Sequence, residues 1–245
     1  MMRITFLGTG DSFGSGGRQP ISILVRSHNF GLLLDCGPGF LPMMKRLDLS
    51  PSDVDAVLIS HHHGDHFAGV PFLLLEYQYR TQRRRPLTVA GPPATRDKVL
   101  ELTRLLFPGL DSKPRSYELI FRELEHHRPE RLDSVEITPF RVRHFPDGVA
   151  LGFRIRADGR TLVYSGDTEW TDELAHQSED ADLLICECST INEKVDHHMS
   201  HEELVRERDH INARRVMLVH AGNDVLARRS ELLFELASDG QEVRL

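Results

Sequence analysis

SHHHGDHFAG, residues 60–69, carries four histidines and one aspartate between positions 61 and 66. Ordinary surface loops do not concentrate imidazoles in this way. The stretch overlaps the end of the apolar run DAVLIS (55–60), which reads as a buried strand. His61 and His63 are two apart in extended chain, so they project to one side and can bind one ion. The chain then turns into an apolar helical pattern, and Asp65 and His66 can address a second ion nearby. Imidazole with carboxylate suits zinc, and also manganese or iron; no thiolate in the stretch discriminates among them.

Six residues rarely complete a two-ion site, so more ligands are expected at other strand ends. His144 follows the strand-like VEITPFRVR, Asp167 follows TLVYSG, and His220 ends VMLVH. Alone, each has a plainer reading: a structural or surface histidine, or a turn or helix-capping aspartate. The cluster at 61–66 makes a shared site the better reading for all three.

The rest of the chain bounds the problem. A length of 245 residues, read as a single domain over 1–245, can bury a sizeable core. No run approaches the roughly 20 apolar residues of a membrane span, and MMRITFLGTG is broken too early by glycine to be a signal peptide. Cys186 and Cys188 alternate in the apolar run LLICEC, a buried strand rather than a disulfide framework, which points to a reducing cytoplasm. A formal charge of −7 repels polyanions at long range, so non-specific nucleic-acid binding is not expected from charge alone.

Ten short β-branched runs read as strands: 3–8, 21–25, 31–35, 55–60, 87–91, 134–140, 149–155, 161–166, 183–188 and 216–220. Helical patterns lie at 40–47, 69–82, 95–107, 201–211 and 228–237. Ser200 and Glu203 have capping-box spacing and should start the helix at 201. Successive strands followed by alternating strand and helix suggest an α/β layered fold. GTGDSFGSGG (8–17) lacks a phosphate-loop pattern and reads as a loop beside the metal cleft, where Arg18 would contact an anionic substrate. Arg80, Arg83, Arg84 and Arg85 read as a solvated helix end, with nucleic-acid contact as the alternative.

The chain resembles the metallo-β-lactamase superfamily through FLGTG (6–10), LLLDCGPG (32–39), LISHHHGDH (58–66), GDT (166–168) and LVHAG (218–222). The resemblance implies a four-layer αββα sandwich with two divalent ions at one edge, zinc first and Mn2+ or Fe2+ as alternatives. His61, His63 and His144 would bind one ion and Asp65, His66 and His220 the other, with Asp167 between them. Histidine at 63 and aspartate at 167 favour hydrolysis over an oxygen reductase or a β-lactamase. Asp65 would orient the attacking water.

Within the superfamily, FLGTGDS, DHFAGVPFLL and HHMS resemble ribonuclease Z and its small phosphodiesterase relatives. By that resemblance His198, in His198-Met199-Ser200 rather than His197, assists at the scissile phosphate. Only 22 residues separate His144 from Asp167, too few for the long arm with which ribonuclease Z grips transfer RNA. The expectation is therefore a phosphodiesterase acting on a small or cyclic phosphodiester. Its rivals are an armless RNA endonuclease, a thioester or lactone hydrolase, and a non-catalytic metal-binding member. A homodimer is implied by resemblance alone.

Overall fold

The computed structural model describes residues 1–145 and 148–245. Its strands are β1 (Arg3–Gly8), β2 (Ser22–Ser27), β3 (Phe30–Leu34), β4 (Ala56–Leu58), β5 (Leu87–Gly91), β6 (Leu119–Glu123) and β7 (Glu130–Leu132). They continue as β8 (Val135–Val142), β9 (Ala150–Ala157), β10 (Arg160–Tyr164), β11 (Leu183–Glu187), β12 (Val216–Val219), β13 (Glu235–Leu236) and β14 (Glu242–Arg244). The helices are α1 (Phe40–Arg46), α2 (Gly64–Phe67), α3 (Val70–Tyr79), α4 (Thr95–Leu106), α5 (Asp172–Ser178), α6 (His201–Arg206) and α7 (Asn223–Ala227).

Two mixed sheets result, with strand orders β14-β1-β2-β3-β4-β5-β6 and β13-β12-β11-β10-β9-β8-β7. In the first, β3 through β6 run parallel; in the second, β10 through β13 do. The alternation of side chains along each strand explains the layering. Leu32, Leu34 and Leu58 face inward and meet Phe153, Ile155 and Ile185 of the other sheet. Their neighbours Leu33 and Val57 face outward beneath Met44 of α1, Leu73 of α3 and Val99 of α4. On the far side Leu184, Cys186 and Leu218 lie under Leu174, Leu204 and Val225 of α5, α6 and α7. Strands covered on both faces read as continuous apolar runs, and each fully buried Leu or Ile contributes about 1.5–3 kcal/mol over an exposed one. The expected αββα sandwich is the observed one.

Ser200 caps α6, its hydroxyl accepting from the Glu203 N–H at 3.2 Å. The helical pattern at 228–237 is not a helix. Helix α7 ends at Ala227, a single 3-10 turn covers Arg229–Glu231, and Glu235–Leu236 joins β12 as parallel strand β13. A helix there would lack a face to bury: Leu233 is half exposed, whereas pairing with β12 buries Leu236. The pattern at 201–211 likewise stops at Arg206 before a 3-10 turn. Strands β6, β7 and β14 escape a periodicity search because they are short and carry charge at alternate or terminal positions. Among the described residues no helix is long and apolar enough to cross a membrane.

Arg83 also departs from expectation. Its side chain is buried, 3.1 Å from Asp55 and over the Tyr77 ring, and Arg85 reaches the same carboxylate at 3.1 Å. Arg83 therefore packs against Asp55 just before β4 instead of facing solvent, while Arg80, Arg84 and Arg85 stay exposed.

Candidate metal centre

All the strand-end residues in question come from the same edge of the two sheets. The chain leaves β4 extended through His61 and His63, then turns at once into the single-turn helix α2, which carries Asp65 and His66. Gly69 lets the next turn approach the loop after β3: a Cβ there would lie 2.5 Å from the Gly37 carbonyl and 2.6 Å from that of Cys36. His144 follows β8, Asp167 follows β10, and His220 follows β12 in a left-handed conformation (φ 57°).

The fold brings all seven together in two adjoining groups. The His61 ring centroid lies 4.6 Å from that of His63 and 4.5 Å from that of His144. Asp65 Oδ2 is 3.4 Å from both His66 Nε2 and His220 Nε2. Asp167 Oδ2 sits between the groups, 3.2 Å from His66, 3.3 Å from His220 and 3.9 Å from His144. One donor atom from each of His61, His63 and His144, and one from each of Asp65, His66, Asp167 and His220, converge as two sets able to hold cations. His63 alone is exposed, at the mouth.

Whether metal suits this cluster can be tested on its nitrogens. His61 Nε2 and His66 Nε2 are buried without a hydrogen-bond partner. A buried orphan polar atom costs about 1–3 kcal/mol, so two of them in one cluster call for an occupant. Electrostatics agree. Burial opposes charge at Asp167, yet His220 and His66 hold it well below the carboxylate range. Burial likewise opposes charge at His220, but Asp167 and Asp65 lift it to about 9. Asp65 is depressed against its own burial by His220 and His66. Two ionised carboxylates here demand positive charge, and divalent cations would replace the protons that otherwise supply it. His61 and His144 are pushed down, chiefly by burial, toward the neutral form a metal requires.

A further layer orients these rings. Asp35, wholly buried at the end of LLLD, accepts from His66 Nδ1 at 2.7 Å, from the Tyr164 hydroxyl at 2.6 Å and from the Ser60 hydroxyl at 2.7 Å. That contact fixes His66 with Nε2 toward the cluster. His144 Nδ1 donates to the His197 carbonyl at 3.0 Å, leaving Nε2 inward. Sequence reading missed Asp35, although it ends an apolar strand just as His220 does.

His198 lies at the rim, its ring stacked on His220 with centroids 5.5 Å apart and edge-on to His144 at 4.9 Å. Its Nδ1 donates to Glu187, 3.1 Å from either carboxylate oxygen. Glu187 is fully buried on the inward face of LLICEC and also accepts from the Thr168 N–H and, at 2.7 Å, from the Ser189 hydroxyl. Burial lowers the His198 pKa, but Glu187 and Asp167 outweigh it and keep the pKa above the usual value. Glu187 and Ser189 also went unread, hidden inside and just after an apolar run.

One expectation needs adjusting. Arg18 does not reach the centre: its Nη1 donates to the Thr9 hydroxyl at 2.8 Å and to the Ala237 carbonyl at 2.6 Å, bracing the loop instead. His62 turns away from the cluster, with Nε2 2.9 Å from the Thr95 hydroxyl.

The chain is similar to several known proteins. The family described as anti-Pycsar protein Apyc1 matches residues 2–239. The ribonuclease Z of Methanosarcina mazei is 30% identical over 235 residues, 79% of this chain and 77% of its own. The short form of human tRNase Z superposes with a TM-score of 0.80 at 22% identity, covering 99% of this chain and 98% of its own. A diphosphatase of the PhnP family also superposes at 0.80, with 18% identity over 100% and 98% of the two chains. The family match runs through every strand that delivers a residue to the cluster, and the chain accordingly belongs to the anti-Pycsar protein Apyc1 family, metal-dependent hydrolases of the metallo-β-lactamase fold.

Proposed function

We propose that this hydrolase is a phosphodiesterase acting on a small or cyclic phosphodiester. The observation that carries the reading is His198, held through Nδ1 by buried Glu187 at the rim of the cluster. A leaving alkoxide needs a proton, whereas a thiolate leaving group does not, so a positioned imidazolium favours oxygen esters. His61, His63 and His144 would hold one divalent ion, and Asp65, His66 and His220 a second, with Asp167 between. Zinc suits the imidazole and carboxylate donors, as do manganese and iron; the three cysteines are buried and form no part of the donor sets. Such ions supply charge neutralisation for phosphoryl oxygens and lower the pKa of water.

The protein's own residues supply the proton transfers. Asp65 orients the attacking water and takes its proton as the new phosphorus–oxygen bond forms. The ester phosphorus–oxygen bond breaks as His198 Nε2 gives its proton to the departing oxygen, while Glu187 holds Nδ1 and steadies the ring. Proton exchange with solvent then restores both groups.

Relatives named ribonuclease Z favour a second reading, an RNA endonuclease without the transfer-RNA arm. Against it stand the acidic net charge and the engagement of Arg83 and Arg85 by Asp55. The test is metal analysis of the purified protein joined to a substrate panel: cyclic nucleotides, bis(p-nitrophenyl) phosphate, precursor transfer RNA and S-lactoylglutathione. Turnover of the small phosphodiesters with bound divalent metal supports the proposal. Turnover of the thioester alone, or of the RNA alone, overturns it.

A further inference from the structure

Ser189, just past the end of β11, sits between the two loops that carry His198 and His220. Its N–H donates to the carbonyl of Met199, next to His198, at 2.9 Å, and its own carbonyl accepts from the N–H of Gly222, two residues past His220, at 3.0 Å. The second contact needs the glycine: a Cβ at position 222 would lie 2.5 Å from the Ser189 carbonyl oxygen. The residue before is held as well, with the Cys188 N–H 2.9 Å from the Val219 carbonyl. A main chain bound on both sides fixes the direction in which the Ser189 side chain leaves it.

The hydroxyl is 2.7 Å from Glu187 Oε2, 3.2 Å from His198 Nδ1 and 3.4 Å from His220 Nδ1. A hydroxyl has one hydrogen to give and an oxygen that can accept two. The shortest contact is to a carboxylate oxygen, which accepts, so the hydrogen goes to Glu187. The serine oxygen then meets both imidazoles as an acceptor. His198 already gives its Nδ1 hydrogen to Glu187. For His220 the Ser189 hydroxyl is the partner of Nδ1 among the described residues, and that contact requires the hydrogen to be on Nδ1. His220 Nε2, 3.4 Å from Asp65 and 3.3 Å from Asp167, is then the nitrogen whose lone pair serves a cation once the cation replaces the proton there.

We infer that Ser189 is a positioning residue that fixes His220 in its Nδ1–H tautomer and, through Glu187, ties that metal ligand to His198. Glu187 grips the proton donor directly and the ligand through one hydroxyl, so a single carboxylate orients both rings. Ser189 itself touches no substrate and takes no part in the proton transfers. The inference rests on the metal centre of the proposed function and holds whichever ester is cleaved.

The test loads wild type, Ser189→Ala and Ser189→Thr with zinc and takes two readings. Competition with a chromophoric chelator should show zinc affinity about 10- to 100-fold weaker in Ser189→Ala, the range for loss of a contact that orients a ligand, and restored in Ser189→Thr, which keeps the hydroxyl. Proton–nitrogen NMR of the imidazoles should place the His220 hydrogen on Nδ1 in zinc-loaded wild type and Ser189→Thr, with that proton exchanging faster in Ser189→Ala. Wild-type His220 protonated on Nε2 overturns the inference without recourse to any variant. So does zinc-binding wild type whose affinity Ser189→Ala leaves unchanged. Wild type that takes up no zinc overturns the metal centre, and the role of Ser189 with it.

Discussion

His66 Nδ1 donates to Asp35 Oδ2 at 2.7 Å, and neither side chain has any exposure to solvent. The two residues are 31 positions apart, on the loop after β3 and on α2, and the contact turns His66 Nε2 into the cluster.

Asp35→Asn keeps the shape of that contact and removes its charge. A buried carboxylate raises the basicity of the ring it holds, so metal affinity should fall about 10- to 100-fold. Competition with a chromophoric zinc chelator measures this. An unchanged affinity would show that Asp35 serves only to satisfy the Tyr164 and Ser60 hydroxyls.

His198→Ala removes the proposed proton donor and should lower kcat about 10²- to 10⁴-fold while bound metal, measured by mass spectrometry, stays at the wild-type level. Loss of metal would instead make His198 a ligand.

Because its pKa is raised, His198 keeps its proton above the usual histidine range, and kcat should fall as pH rises through that higher value. Glu187→Gln weakens the hold on the imidazolium, so the alkaline limb should move to lower pH. A limb that stays in place assigns the titration to another group.

His62 offers a pH test of stability. Burial, with help from Lys98, lowers its pKa from 6.5 to about 4 against the pull of Asp35. In the unfolded chain His62 takes up its proton near the ordinary value. Between those two values the unfolded state binds more protons, so stability falls as pH falls. His62→Gln removes this contribution. Relative to the variant, wild type should lose stability from pH 6.5 down to 4 and run parallel above 7; urea unfolding at a series of pH values reads the difference.

Arg83→Met leaves Asp55 paired with Arg85 and strands the Pro86 carbonyl that Arg83 satisfies, while the Ser52 carbonyl keeps its contact with Arg85. The expected loss is about 1–3 kcal/mol in urea unfolding. An unchanged midpoint would return Arg83 to the solvated helix end that its sequence context suggests.

Spacing within a few residues was enough to read much of this molecule. HxHxDH at a strand-to-turn junction carries its own geometry, because two-residue spacing in extended chain puts His61 and His63 on one side. The strands buried on both faces announced themselves as apolar runs, and Ser200 with Glu203 marked a helix start. What sequence could not rank was long-range. Asp65 meets His220 across 155 positions, and Asp35 meets Tyr164 across 129. Nothing local distinguishes Asp35 from other strand-end aspartates, or Glu187 from a surface glutamate; their meaning comes from the strands that surround them. The segment 228–237 has helical periodicity, yet the free edge of β12 and the lack of a surface to cover turned its end into a strand. Local chemistry determined the presence of a His/Asp cluster, while packing of the two sheets decided which buried carboxylates orient it, because burial and pairing are properties of the assembled layers.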